Sequence, residues 1–174
     1  MAGSTSKKVR ITRFDREPLL GYVHPQTYLR TNGVELLTQD GGFTVVPYEE
    51  VKAVCFVRDF EAPEQPSERK TFHTRPKMDG LWVRVRFRDG EVMDGILSNN
   101  LLLLDAHGFS LTPPDPTSNN QRLFLPRLAL NEFQVLGVVG SPLRRPRQPK
   151  PVAEAQIGLF EEGGGMSGAD RSLT

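Results

Sequence analysis

The sequence predicts an all-β protein built from two small five-stranded units in tandem, followed by a structureless tail. Three observations carry that prediction: the chain repeats itself, its apolar residues alternate with a period of two, and its glycines and prolines punctuate short runs. The repeat comes first. Val9-Arg10-Ile11, Asp15-Arg16-Glu17 and Gly21 return in the same ungapped spacing as Val83-Arg84-Val85, Asp89-Gly90-Glu91 and Gly95, and Leu37-Thr38 returns as Leu111-Thr112. Further on, Val46-Pro47 with Val51 and Val54 matches Leu125-Pro126 with Leu130 and Phe133, after an insertion in the second copy. Self-similarity of this kind marks a duplicated folding unit.

Alternation then places the strands. Val9 to Phe14 and Leu81 to Phe87 switch between apolar and polar residues, the pattern of a strand with one buried face. Asp89-Gly90 breaks the second run, and glycine there supplies the positive φ of a tight primed hairpin, with Glu91 to Leu97 as the return strand. Arg16 stands in the place of Gly90 in the first copy, which predicts a looser loop. Next come Val34 to Leu37 and Leu101 to Leu104, each ahead of a glycine turn at Asp40-Gly41-Gly42 or His107-Gly108. Phe43 to Val46 and Arg122 to Leu125 follow and end on Pro47 or Pro126, whose fixed φ suits exit into a single helical turn. The last strands are Ala53 to Val57 and Gln134 to Val139.

That order of five strands, with a glycine hairpin and a proline-started turn before the last one, is the order of a small SH3-like or Sm-like barrel. Closure would remove the edges that short antiparallel units otherwise expose. The expected organisation is a first barrel at 8–60, a Pro-rich charged linker at 61–77 that should be mobile, a second barrel at 78–140 and a disordered tail from 141 to 174.

Composition bounds the function. A formal net charge of +1 offers no global attraction to a polyanion, so a nucleic-acid surface would have to be a local patch. Cys55 is the single cysteine, which excludes an internal disulfide and suits a reducing compartment; in the run Val54-Cys55-Phe56-Val57 it reads as a small core residue. The N-terminal residues are polar and basic without an apolar stretch, and no window is apolar enough to span a membrane, so a cytoplasmic location is expected.

Three segments carry a further resemblance. Lys52-Ala53-Val54-Cys55-Phe56-Val57-Arg58-Asp59-Phe60, Gly80-Leu81-Trp82-Val83-Arg84-Val85-Arg86-Phe87-Arg88-Asp89-Gly90-Glu91, and Leu111-Thr112-Pro113-Pro114-Asp115 with Ser118-Asn119 and Gln121-Arg122 resemble the motifs of an uncharacterised bacterial domain family. The resemblance covers most of residues 8 to 140 and implies a domain, with no chemistry attached.

The sharpest functional motif lies in the tail. Gln156-Ile157-Gly158-Leu159-Phe160 resembles the Gln-x-x-Leu-Phe peptide by which bacterial proteins bind the DNA sliding clamp. Gln156 would fill a polar subsite and Leu159-Phe160, with Ile157, an apolar pocket; the Pro-rich stretch Pro142 to Pro151 would hold the peptide away from the barrels. A docking peptide for another partner fits the same residues. The run Arg144, Arg145, Arg147 and Lys150 either touches phosphates or serves as a solvated linker. The insertion containing Asn119, Asn120, Gln121 and Arg122 is either a ligand loop or a rigid turn capped by its own side chains.

Gly90 and Gly95 also resemble the first Sm motif in spacing, although the second Sm signature is absent from both copies. No catalytic constellation stands out: His24, His73 and His107 are scattered without metal-ligand spacing, and no P-loop, nucleophile elbow or dinucleotide fingerprint is present, so no cofactor is expected. The reading is a non-enzymatic adaptor docked through its tail, with an Sm-like RNA- or DNA-binding protein as the alternative.

Overall fold

In the computed structural model, which describes residues 5–62, 68–100, 102 and 104–140, the alternating runs of the sequence become strands. The first is β1 (Lys7–Arg13), with Val9 and Ile11 fully buried. It is followed by β2 (Leu19–Val23), the two-residue β3 (Leu29–Arg30), β4 (Gly33–Thr38), β5 (Phe43–Pro47) and β6 (Val51–Val57). The second half contributes β7 (Gly80–Phe87), β8 (Val92–Leu97), β9 (Gly108–Thr112), β10 (Asn120–Pro126) and β11 (Leu130–Val139). Pro126 leads into a 3-10 turn at Arg127–Ala129, as its fixed φ suggests. The tail expected to be disordered, from 141 onward, lies outside the described residues.

Two local expectations are corrected. The hairpin at Asp89-Gly90 is a three-residue loop in which Gly90, at φ 88°, donates to the Phe87 carbonyl (3.0 Å) and the Phe87 N–H donates to Glu91 (2.8 Å). Only the glycine needs the left-handed conformation in such a bulged turn. Gly41, at φ 89°, closes the β4–β5 hairpin in the same way against Thr38. The second correction concerns the strand expected at Leu101 to Leu104, of which Leu102 and Leu104 are described and neither is in a strand. The third strand of the second half is β9, pairing Ile96 with Thr112 and Leu97 with Leu111, as the match of Leu37-Thr38 to Leu111-Thr112 implies. Leu102 is 93% exposed. Ser98 and Asn100 explain the gap: their side chains accept from the backbone N–H groups of Asn100 and Leu102 and compete with a ladder.

Both halves have the same strand order. The first runs β5-β4-β2-β1-β6, with β3 extending the line of β2 against β4; the second runs β10-β9-β8-β7-β11. They are joined by antiparallel pairing of β10 with β6, where Arg122 faces Phe56, Leu123 faces Cys55 and Phe124 faces Val54. The result is one open sheet of eleven strands. Separate five-stranded barrels are not what the hydrogen bonds show: among the described strands no ladder joins β5 to β6 or β10 to β11, and the strands that would complete each half serve instead as the seam or the outer edge.

Burial explains the seam. Val54 and Phe56 of β6 enter the core of the first half, whereas Ala53, Cys55 and Val57 enter the core of the second. On β10, Phe124 reaches the first core while Leu123 and Leu125 stay in the second. A strand covered on both faces reads as a continuous apolar run, which is what Ala53 to Val57 is. Tyr28 packs edge-on against both Phe56 (5.6 Å) and Phe124 (5.9 Å), so one aromatic from each half shares a single partner.

Because each core borrows side chains from the other half, the halves should unfold together. Leu36→Ala in the first core is expected to lower the denaturation midpoint read from Trp82 fluorescence in the second half as far as the midpoint read from far-UV circular dichroism. Phe124→Ala should cost about 3–5 kcal/mol by the same titration. Two separated transitions would show independent halves.

Candidate functional site

At its C-terminal end β6 runs past its ladder partners, and the backbone N–H groups of Arg58 and Asp59 need acceptors. Asn119 provides them. Its Oδ1 accepts from Arg58 (3.1 Å) and Asp59 (3.0 Å), and its Nδ2 donates to the Asp59 carbonyl (2.7 Å), so one amide continues the strand edge. Asn120 Nδ2 donates to both carboxylate oxygens of Glu68 (3.0 and 3.2 Å), and Ser118 Oγ donates to the same carboxylate. Asp115 accepts from the Thr117 N–H (3.0 Å) and hydroxyl (2.7 Å), which hold its carboxyl below the usual range.

The loop is therefore the internally capped turn of the two readings the sequence allowed, and it fastens the strand exit and the linker. Gln121 is exposed, and Arg122 lies with its guanidinium 4.2 Å from the centre of the Phe56 ring. Only Asn119 and Asn120 of the four candidates line a cavity. Gln156, Ile157, Leu159 and Phe160, and the basic set Arg144, Arg145, Arg147 and Lys150, lie outside the described residues.

That cavity is a cleft of about 730 Å³, in the range of small-molecule sites. Its floor is the second core seen from outside, including Ala53, Cys55, Met93 and Leu123. Its wall is ionic. Lys52 Nζ donates to Asp89 (2.5 Å) and Glu91 (2.6 Å), and Lys70 Nζ reaches the other oxygen of Glu91 (2.9 Å). Burial works against the charge on Lys52, but the hydrogen bonds to the two carboxylates outweigh it and its pKa stands above that of a free lysine. Burial likewise opposes ionisation of Asp89 and Glu91, and Lys52 again prevails, lowering both. These four charges are spent on one another, and Arg10, Arg58, Arg69, Asp59 and Glu68 also line the cleft around its apolar floor.

Cys55, buried on that floor, sits 3.9 Å from Thr12 Oγ1 and behaves as the core residue the sequence suggests. His107 stacks on Tyr48 with ring centres 4.8 Å apart, and His24 Nδ1 meets the Thr27 hydroxyl at 3.3 Å. Burial, with Asp105 nearby, pushes the Tyr48 hydroxyl up to about 12.

The residue that sequence reasoning missed is Asp94. It is fully buried on β8, where it accepts from Arg84 (2.7 and 3.1 Å), the Trp82 indole N–H (3.3 Å) and the Phe72 backbone N–H (3.2 Å). Its own N–H donates to the Lys70 carbonyl (2.7 Å). The linker, expected to move freely, is thus fastened to the second half at Glu68, Lys70 and Phe72. A signal existed: in the repeat Asp94 occupies the place of Leu20, a charge where the other copy has an apolar residue.

Among the described residues no three His, Cys, Asp or Glu side chains gather as a metal site, and no helix is long and apolar enough to cross a membrane. Residues 5–137 match a family described as a family of unknown function (DUF6982), and the chain belongs to it. No curated protein and no solved structure matches the chain.

Burial raises the cost of ionising Asp94, but Arg84 and the N–H donors of Phe72 and Trp82 outweigh it and depress its pKa. A carboxylate depressed on folding stabilises above its unfolded pKa and loses that contribution as pH falls through the folded value. Asp94→Asn should therefore cost about 2–3 kcal/mol at neutral pH, less than a fully buried pair because Arg84 is partly exposed. The gap to the wild type should close as pH falls below the ordinary aspartate value of about 4, measured by urea titrations at successively lower pH.

Proposed function

We propose that this member of the family is a non-enzymatic interaction protein of the reducing cytoplasm. Two small SH3-like or Sm-like units are fused through β6 and β10, and Gln156-Ile157-Gly158-Leu159-Phe160 docks on a partner, with the bacterial DNA sliding clamp as the partner whose chemistry the peptide matches.

The observation that carries the interaction reading is the pair of outer strands. β5 and β11 expose Phe43, Val45, Val135, Leu136 and Val138, large apolar groups on strand edges where a solitary protein would place charges or proline. Unpaired strands with apolar side chains bind other polypeptides by strand addition. For the tail peptide the support is its composition: burying Leu159 and Phe160 could contribute roughly 3–6 kcal/mol before ordering costs. The nucleic-acid alternative draws less support, because several aromatic faces that would stack bases are already in use, although Phe43 stands open. Arg122 covers Phe56, Arg88 covers Phe14, and Phe109 stacks on Phe133.

A labelled peptide spanning residues 153–162 is expected to bind a bacterial sliding clamp in a fluorescence anisotropy titration and to lose at least a factor of about ten in affinity when Leu159 and Phe160 become alanine, the equivalent of about 1.4 kcal/mol or more. No binding by the unmodified peptide removes the clamp as partner.

A further inference from the structure

We propose that the chain assembles head to tail with copies of itself, repeating between molecules the strand pairing that joins its own halves. This rests on the interaction reading above and names the partner of the strand edges.

The argument starts from the repeat. Each half ends in the same two strands, a fourth (β5 or β10) and a fifth (β6 or β11), and the chain pairs the fourth strand of the second half with the fifth strand of the first. What remains is the fourth strand of the first half, β5, which among the described residues pairs only with β4, and the fifth strand of the second, β11, which among them pairs only with β7. The two remaining edges are thus the same complementary pair as the seam, and they belong to opposite halves of the chain.

The seam also supplies a register. By the match of Pro47 to Pro126 and of Val54 to Phe133, Phe43 stands for Arg122, Thr44 for Leu123 and Val45 for Phe124; Phe133, Gln134, Val135 and Leu136 stand for Val54, Cys55, Phe56 and Val57. Copying the internal pairs sets Phe43 of one molecule opposite Val135 of the next, Thr44 opposite Gln134, and Val45 opposite Phe133. Within the seam Val54, Phe56, Val57 and Phe124 are all buried. Of their counterparts, Val45 is 40% exposed, Val135 54% and Leu136 41%, while Phe133 is half-buried; beside them Phe43, in the place of the exposed Arg122, is 76% exposed.

Charge guards neither edge, although β11 bulges against β7 between Leu130 and Glu132 and between Val135 and Gly137. β5 has no charged residue, and the ten-residue β11 has only Glu132. Pro47 does not obstruct pairing, because its counterpart Pro126 lies beyond the residues that pair with β6. One element of the seam cannot be copied. The β4–β5 hairpin is short and has no equivalent of Asn119, the clamp on the exit of β6, so contacts between molecules are weaker than the internal one and reversible. Since the two edges differ, each added copy leaves both kinds open, and growth continues past a dimer into a ring or filament.

Light scattering on the full chain across the micromolar range tests this. The weight-average mass should climb with concentration past that of a dimer. Val45→Lys and Val135→Lys, both at exposed positions, should each give a folded monomer by circular dichroism, and an equal mixture of the two should give a dimer and nothing larger, since each supplies the edge the other lacks. A wild-type chain that is monomeric at every concentration overturns the proposal. So does a dimer that survives Val45→Lys, which would mean pairing of β11 with itself, and so does assembly that begins only when residues 141–174 are removed, which would make the tail the occupant. A monomeric chain whose 153–162 peptide still holds the clamp overturns self-assembly alone; oligomers with an inert peptide leave self-assembly standing and remove the clamp.

Discussion

The antiparallel contact of β6 with β10 is the constraint from which most of the molecule follows. Val54 and Cys55 are neighbours in the chain and belong to different cores, because successive side chains of a strand point to opposite faces and both faces of this strand are covered. Phe124 crosses in the other direction. Neither half can complete its core without the other, which makes a duplicated unit into one body and leaves the strand that would close each half free to serve a neighbour.

Duplication accounts for the framework, and the departures from it account for the particular features. Where the first half has Leu20 the second has Asp94, and that charge, held by Arg84 and Trp82, gathers the linker onto β8. The second half also carries the insertion before β10, and Asn119 within it completes the hydrogen bonding of the β6 exit. Lys52 on β6 meets the β7–β8 hairpin at Asp89 and Glu91, a contact across the seam that a single unit could not make. Lys52, Glu91 and Asn119 meet on the lining of the cleft.

The electrostatics of that rim matter for what the body can do. Charges in partly buried positions keep their ionised forms only by pairing, and Lys52, Asp89, Glu91 and Lys70 are paired with one another. The outer strands differ: their side chains are apolar and uncovered, and their backbone groups offer a ladder, which is why contact with another polypeptide is the reading with the most behind it.

Much of the fold was legible because it depends on local signals. Period-two alternation at Val9 to Phe14 and Leu81 to Phe87, the glycine loop at Gly90, and the prolines at 47 and 126 are each settled by neighbours a few residues away, so the all-β class, most strands and the shared strand order followed from the chain alone. The capped turn at Asp115 to Asn120 was legible as one of two readings for the same reason. The apolar run Ala53 to Val57 showed that a strand was buried, but nothing in it tells a strand inside one barrel from a strand shared by two cores. Pairing β6 with β10 brings together residues far apart in sequence and is decided by which edge gains more by burial, and that comparison exists only once both halves are folded. The open sheet and the pair of complementary outer edges follow from that one choice, and the fastening of the linker by Asp94 and Asn120 is likewise settled only in three dimensions.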